Sequence, residues 1–262
     1  MEAVESSAPR MHLSVGEKIG YGLGDTAANL VWRTLIFFLP IFYTDVFGLS
    51  AAAVGTLMLV CRIGDGVTDF FMGVIADRTN TRWGKFRPWI LWTALPFGIM
   101  TVLTFTTPDL SYNGKLIYAY VTYTALILVF TANNIPYAAL TGVLTPDPTE
   151  RTSVSAYRFV FAFMGGLITQ GLNIYLVEFF GHGDQTKGYQ WTMALFAVVS
   201  VILFLITFAS TKERVKPADG GHTAIKRDAL DLISNRPWVI LFFVGVLFVT
   251  FTTFRGGVTM YY

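Results

Sequence analysis

The stretch Val54–Ala76, VGTLMLVCRIGDGVTDFFMGVIA, decides the fold class. It is long enough to cross a bilayer as a helix, which takes roughly 20 mostly apolar residues, yet it carries Asp65 and Asp69 one helical turn apart. A carboxylate at the membrane centre costs at least about 2.5–3.5 kcal/mol, so two on one helix face have to be offset by function or by pairing. The rest of the chain has the same character. Of 262 residues, 53% are hydrophobic and only 14% are charged, against about 25% charged in soluble domains. The expected class is an all-α polytopic membrane protein. A lone cysteine, Cys61, excludes an internal disulfide, and its apolar neighbours mark it as a small packing residue. Residues Met1–Lys18 have no apolar core, so no cleavable signal peptide is expected. The sequence has no His/Cys metal-ligand cluster, no Walker-type phosphate loop and no basic, aromatic-interleaved surface for nucleic acid.

Turn and charge signals divide the chain into six apolar stretches, near Ile19–Tyr43, Ala51–Ala76, Pro88–Phe105, Leu116–Val143, Tyr157–Phe180 and Tyr189–Ala209, and a seventh begins at Pro237. The connectors alternate. Asp77–Arg87 and Thr211–Arg236 are rich in Lys and Arg, whereas Thr44–Ser50 has none and Thr106–Lys115 and Gly181–Gly188 have one each. The positive-inside rule then places the N-terminus and the basic loops in the cytoplasm. Residues 1–210 are predicted to form a six-helix transmembrane bundle, 211–236 a cytoplasmic linker containing Pro217 and the Gly220-Gly221 pair, and 237–262 a truncated start of a second bundle. The chain stops inside a span, at Tyr261-Tyr262. A twelve-helix transporter of two six-helix halves, cut just past its middle, would read this way.

The first span carries Asp25, Asn29 and Arg33 at i, i+4 and i+8, along one face. The second repeats this with Arg62, Asp65 and Asp69, with Thr68 alongside; the fourth adds Thr131, Asn133 and Asn134 before Pro136, and the fifth opens with Arg158. In hydrocarbon such groups point inward and pair around a hydrated cavity. Carboxylates with hydroxyl and amide oxygens suit a small cation, or a carboxylate that carries a proton. Asn, Arg and Trp side chains suit a polyhydroxylated ligand, and Trp32 is a candidate platform for it or a plain packing aromatic. The bland alternative pairs Asp65 with Arg62, or Asp25 with Arg33, as structural ion pairs; a second carboxylate at Asp69 is redundant for that purpose. Asn133 by itself fits interhelical packing better than ligand binding. The loop NTRWGKFRP, Asn80–Pro88, offers a glycine turn and basic residues, Arg82, Gly84, Lys85 and Arg87, that suit a gating latch as well as plain topology signalling.

YTDVFGLS at Tyr43–Ser50, RIGDGVTD at Arg62–Asp69, NTRWGKFRPW at Asn80–Trp89, NNIPYAAL at Asn133–Leu140 and FRGGVTMYY at Phe254–Tyr262 together resemble the glycoside-pentoside-hexuronide:cation symporters of the major facilitator superfamily. The similarity spans nearly the whole chain and is nearest to the xyloside and glucuronide carriers, more distantly to melibiose permease. The resemblance implies a multi-pass protein of the bacterial inner membrane that moves a sugar with Na⁺ or H⁺ and uses no cofactor beyond that ion. It implies a cation site at Asp65, Asp69 and Thr131, able to hold Na⁺, with Thr68 where the permease has an asparagine. It implies sugar contacts at Asn29 and Asn134, which replace two aspartates, and at Arg158. Asp25 and Arg33 complete the candidate substrate face. The partners expected are a small sugar, the coupling cation, membrane lipid and the missing C-terminal half of the same transporter, with no nucleic acid.

Two other classes compete. Gly22-Leu23-Gly24-Asp25 spells the GxGD string of intramembrane aspartyl proteases and Ala94-Leu95-Pro96 echoes their PAL element, but such catalysis needs two aspartates on facing helices sharing a proton. A non-transporting sensor built on a transporter half is the other. Arg33 bears on the substrate: paired with Asp25 it favours a neutral glycoside such as a xyloside, the preferred reading, whereas facing the ligand it favours a hexuronide.

Overall fold

The computed structural model describes residues 12–215 and 234–259. The predicted linker features Pro217, Gly220, Gly221, Lys226 and Arg227, and the end of the FRGGVTMYY string, lie outside the described residues.

Six helices follow the six apolar stretches. Helix α1 (Val15–Phe37) is opened by Ser14, whose hydroxyl accepts the Glu17 N–H. It continues through a 49° bend into a short turn, Leu39–Ile41, and a π-helical turn, Phe42–Val46. Pro40, which lacks an N–H and crowds the preceding carbonyls, sits at the bend. Helix α2 (Ala51–Arg78) is capped by Ser50, α3 runs Arg87–Thr104, and α4 (Tyr112–Leu144) is capped by Ser111. Helix α5 (Pro148–Gly181) begins well before the predicted Tyr157: Asp147 accepts the Thr149 N–H, and Pro148 fills a first-turn position where the missing N–H costs nothing. Helix α6 (Gln185–Ser210) is capped by Asp184, whose carboxyl the Lys187 N–H holds below its usual range.

By length and hydropathy α2, α4, α5 and α6 can each cross a membrane, and α1 with its bent continuation makes a fifth. The third predicted span does not reach that standard. Its 18 residues give about 27 Å at 1.5 Å per residue, and it falls short in hydropathy, opening on Arg87-Pro88 and carrying Pro96, two tryptophans and three threonines.

Helix α1 packs on α5 and α6, α4 on α2 and α3, and α3 on α6. Exchanging α1 with α4, α2 with α5 and α3 with α6 maps these contacts onto themselves, as an inverted three-helix repeat requires. The exceptions are α5 on α6, for which α2 and α3 show no equally extensive counterpart, and the slighter packing of α4 on α5, which α1 and α2 do not match. The seams around α1 are tied by small polar side chains on carbonyls of the facing helix: Thr26 on Phe161, Thr169 on Leu30, Ser200 on Ala27 and Thr207 on Gly20, at 2.8–3.2 Å. Beyond α1, Phe42, Phe105 and Tyr189 close the bundle as a cluster of ring contacts at 5.0–6.3 Å.

The chain divides into two compact units, Met1–Lys216 and Pro217–Tyr262. The second contains helix α7 (Arg236–Thr259), apolar over Arg236–Phe248, with Trp238 stacked on Phe242 one turn later.

Candidate functional site

Around the two aspartates of α2 the structure places three of the residues grouped with them in the sequence, Arg62, Thr68 and Thr131. The Thr131 hydroxyl of α4 donates to Asp65 Oδ1 at 2.9 Å and also interacts with the Asp69 carboxylate. Both carboxylates are half-buried. Two carboxylates and a hydroxyl on facing helices form a hard-oxygen cluster that fits a small monovalent cation or a proton. Thr68 plays a different part: its proton goes to the Asp65 backbone carbonyl at 3.0 Å, leaving only the oxygen lone pairs for an ion. Arg62 stands beside Asp65 with 3.9 Å between Nη1 and Oδ2. Cys61, buried nearby, touches the Thr124 hydroxyl of α4 at 3.4 Å and packs the two helices.

The expected Asp25–Arg33 pair does not form. Asp25 is held by Arg158 of α5, with Nε on Oδ2 at 2.8 Å and Nη2 on Oδ1 at 3.2 Å, and by the Tyr137 hydroxyl at 2.7 Å. Tyr21 and Tyr137 lie against the guanidinium, the Thr141 hydroxyl accepts from Arg158 and donates to the Tyr21 hydroxyl, and each tyrosine hydroxyl lies within hydrogen-bond distance of the other's backbone carbonyl. Positions eight apart on a helix are separated by about 12 Å along the axis, too far for an ion pair; packing of α1 on α5 supplies the partner instead. Arg158, expected at the sugar, is thus engaged by Asp25. The same packing accounts for the GxGD string. A Cβ on Gly22 would meet Phe161 at 2.6 Å and one on Gly24 would meet Tyr137 at 2.5 Å, so both glycines permit close helix approach. Asp25 faces an arginine rather than a second aspartate.

Arg33 has no hydrogen bond or ion pair among the described residues, and its Nε is buried without a partner. Its side chain lies over Gly166 of α5, where an added Cβ would approach Nε to 3.4 Å and Gln170 Nε2 to 3.8 Å. Asn29 donates to the Asp25 carbonyl at 2.8 Å, which leaves its amide oxygen free, and Asn134 is half-buried without a partner among the described residues. Asn133 is 2% exposed and donates to Thr93 at 2.7 Å, the packing role expected of it. Trp32 stacks on Phe130 of α4 at 4.4 Å and 10°.

At the end of the bundle that carries Ser14, the basic loop meets an acid that sequence reasoning passed over. Glu213 accepts the N–H groups of Lys85, Phe86 and Arg87 at 2.7–2.9 Å, where α3 begins. A helix start with orphan N–H donors attracts a carboxylate, and that was the available signal. Gly84 adopts φ +114° beside it. The Lys85 ammonium pairs with Asp77 at 3.1 Å, and Arg87 reaches the Phe208 carbonyl near the C-terminus of α6 at 2.7 Å. The Arg82 guanidinium lies over Trp83 at 4.5 Å. Residues 211–215, predicted as the start of a linker, are fixed to the bundle: Arg214 and Val215 donate to the Val143 carbonyl, and Arg214 forks onto Glu17 at 2.6 and 2.8 Å, which raises the arginine's pKa. Glu150 similarly gathers Lys18, His12 and the Leu13 N–H at 2.9–3.2 Å.

Comparison with known proteins adds the family. Residues 20–262 match the family described as MFS/sugar transport protein. The chain is 46% identical over 250 residues to the inner membrane symporter YicJ of Escherichia coli, covering 95% of this chain and 54% of that protein. It is 40% identical over 249 residues to the isoprimeverose transporter of Lactiplantibacillus pentosus, 94% of this chain and 52% of that one. It is 36% identical over 238 residues to a glucuronide carrier protein homolog of E. coli, 90% and 51%. The chain spans about half the length of these relatives. With its all-α multi-pass architecture and the match over almost its entire length, the chain belongs to the MFS/sugar transport protein family.

Proposed function

We propose that this chain is the N-terminal half of a secondary active transporter that carries a glycoside or pentoside, such as a xyloside, together with Na⁺ or H⁺ by alternating access. The observation that carries the reading is the pair of intramembrane carboxylates, Asp65 and Asp69, gathered with the Thr131 hydroxyl across α2 and α4. Relatives named as symporters and as an isoprimeverose transporter support it. The cation sits at Asp65, Asp69 and Thr131, with Thr68 contributing an oxygen. Asn29 and Asn134 offer amide groups to sugar hydroxyls, and Arg158 acts through Asp25, fixing the wall of the cavity. The loop at Arg82, Gly84, Lys85 and Arg87, clasped by Glu213, serves as a gate on the cytoplasmic side, where the positive-inside rule puts the N-terminus. A second six-helix bundle completes the cavity.

A hexuronide is the second reading, and Arg33 favours it. The preference for a neutral glycoside leaned on an Asp25–Arg33 pair, whereas Asp25 is taken by Arg158 and Arg33 has no acceptor among the described residues. A desolvated guanidinium binds a carboxylate strongly. Competition of a xyloside and a glucuronide for binding, in wild type and Arg33→Ala, separates the two. The neutral-glycoside reading predicts xyloside binding that persists in Arg33→Ala; tight glucuronide binding that collapses in the variant would replace it with the hexuronide reading.

A further inference from the structure

We propose that Arg62 is a positioning residue that links the two sites: held by Asp65, its guanidinium covers the face of Trp32 on which a sugar ring would stack, and a coupling ion at Asp65 uncovers that face. The inference rests on the reading of Asp65 and Asp69 as the cation site. Three contacts carry it. Trp32 on α1 is one residue from Arg33 and three from Asn29, and one face of its indole is filled by Phe130 of α4, 4.4 Å away and nearly parallel. The Arg62 guanidinium of α2 stands over the same indole, 4.9 Å from a ring centroid. Phe130 and the Arg62 guanidinium thus both lie against the indole. Its Nη1 is also 3.9 Å from Asp65 Oδ2, on the carboxylate that accepts the Thr131 hydroxyl. One side chain therefore touches the candidate sugar platform and the candidate ion site at once.

The electrostatics give the sign. The negative π face and the carboxylate both attract the guanidinium. A cation or proton at Asp65 cancels the second attraction, and a bound cation also repels Arg62. The Arg62 side chain is 53% exposed on this bundle, so no side chain within the bundle blocks its displacement. A pyranose ring stacks through its C–H face on apolar aromatic surface, so it must displace the guanidinium. Ion binding and sugar stacking thus favour the same displacement of Arg62, and each raises the affinity for the other.

The test uses the transporter with its second bundle and two probes, nitrophenyl xyloside and nitrophenyl glucuronide, binding measured with and without saturating coupling ion. Arg62→Gln is expected to raise ion-free affinity roughly fivefold or more for the sugar that binds, and to shrink the ion-dependent gain by a similar factor. Trp32→Leu should weaken binding, and adding Arg62→Gln to it should bring no further ion-free gain, a non-additivity that a double-mutant cycle reads directly. If Arg62→Gln does not fold, Arg62→Lys keeps the charge without the planar stack and should move the same way by less. Wild-type affinity and wild-type ion gain in the Arg62 variant, or the same gain with and without Trp32, overturns the proposal. Asp65→Asn separates the failures. If it keeps the wild-type ion gain, or if neither probe binds wild type, the transport reading itself falls. If Asp65→Asn loses the gain while Arg62→Gln keeps it, only the role of Arg62 falls.

Discussion

Asp25 accepts three hydrogen bonds inside the bundle, two from Arg158 and one from Tyr137, and each partner is itself buried or half-buried. Removing one side of such a pair leaves a charge without compensation, which costs about 3–5 kcal/mol in a buried setting. The side chains of Arg158 and Asp25 retain 24% and 14% exposure, which places the expected loss for Arg158→Ala near the lower figure. Thermal unfolding in detergent should show it, and the double variant Asp25→Leu, Arg158→Met should recover most of the loss; equal stability of Arg158→Ala and wild type would contradict the contact. Thr131→Val removes a single hydroxyl from the ion site and should weaken ion affinity by about 2- to 10-fold with little loss of fold, in keeping with a hydrogen bond of about 0.5–1.5 kcal/mol. Unchanged ion affinity would take Thr131 out of the site. The identities of these residues were legible in the sequence because a charge within an apolar run has few reasons to be there. Their pairings were not. Spacing along one helix reports a shared face, and it linked Asp25 to Arg33, whereas the partner comes from α5 through packing that no local period encodes.

Among the elements, the helices followed from apolar length with turn and charge signals, and the departures came where proline acts. Pro40 bends the first span and Pro148 starts α5 early, while α3 keeps the length and bounds read for it to within one residue. The loop between α2 and α3 was recognised by its charges, but the acid that holds it lies beyond α6, far away in sequence. Glu213 satisfies three N–H groups at once. Glu213→Ala should therefore cost about 1.5–3 kcal/mol, the range of a hydrogen bond to a charged group, and should speed hydrogen exchange at Lys85, Phe86 and Arg87. Unaltered protection at these amides would show that the clasp does not hold the loop. Gly84→Ala should act in the same direction, because φ +114° is strained for any side chain and the new Cβ would run into the Glu213 carboxylate.

Helix α2, which bears both aspartates, is the least enclosed of the four helices that span on their own, and on the proposed function it faces a second bundle. Residues 1–262 alone are accordingly expected to insert in membranes without accumulating sugar; uptake against a gradient by proteoliposomes holding only this polypeptide would show that two copies suffice. On the proposed function, Asp65 and Asp69 bind the coupling ion and its binding energy is shared with the sugar. This is tested most directly by measuring ion-dependent sugar accumulation in the transporter with its second bundle, for wild type, Asp65→Cys and Asp69→Cys. Both variants are expected to lose accumulation while sugar binding or downhill exchange persists; either variant accumulating sugar with wild-type ion dependence would rule out ion binding at these aspartates.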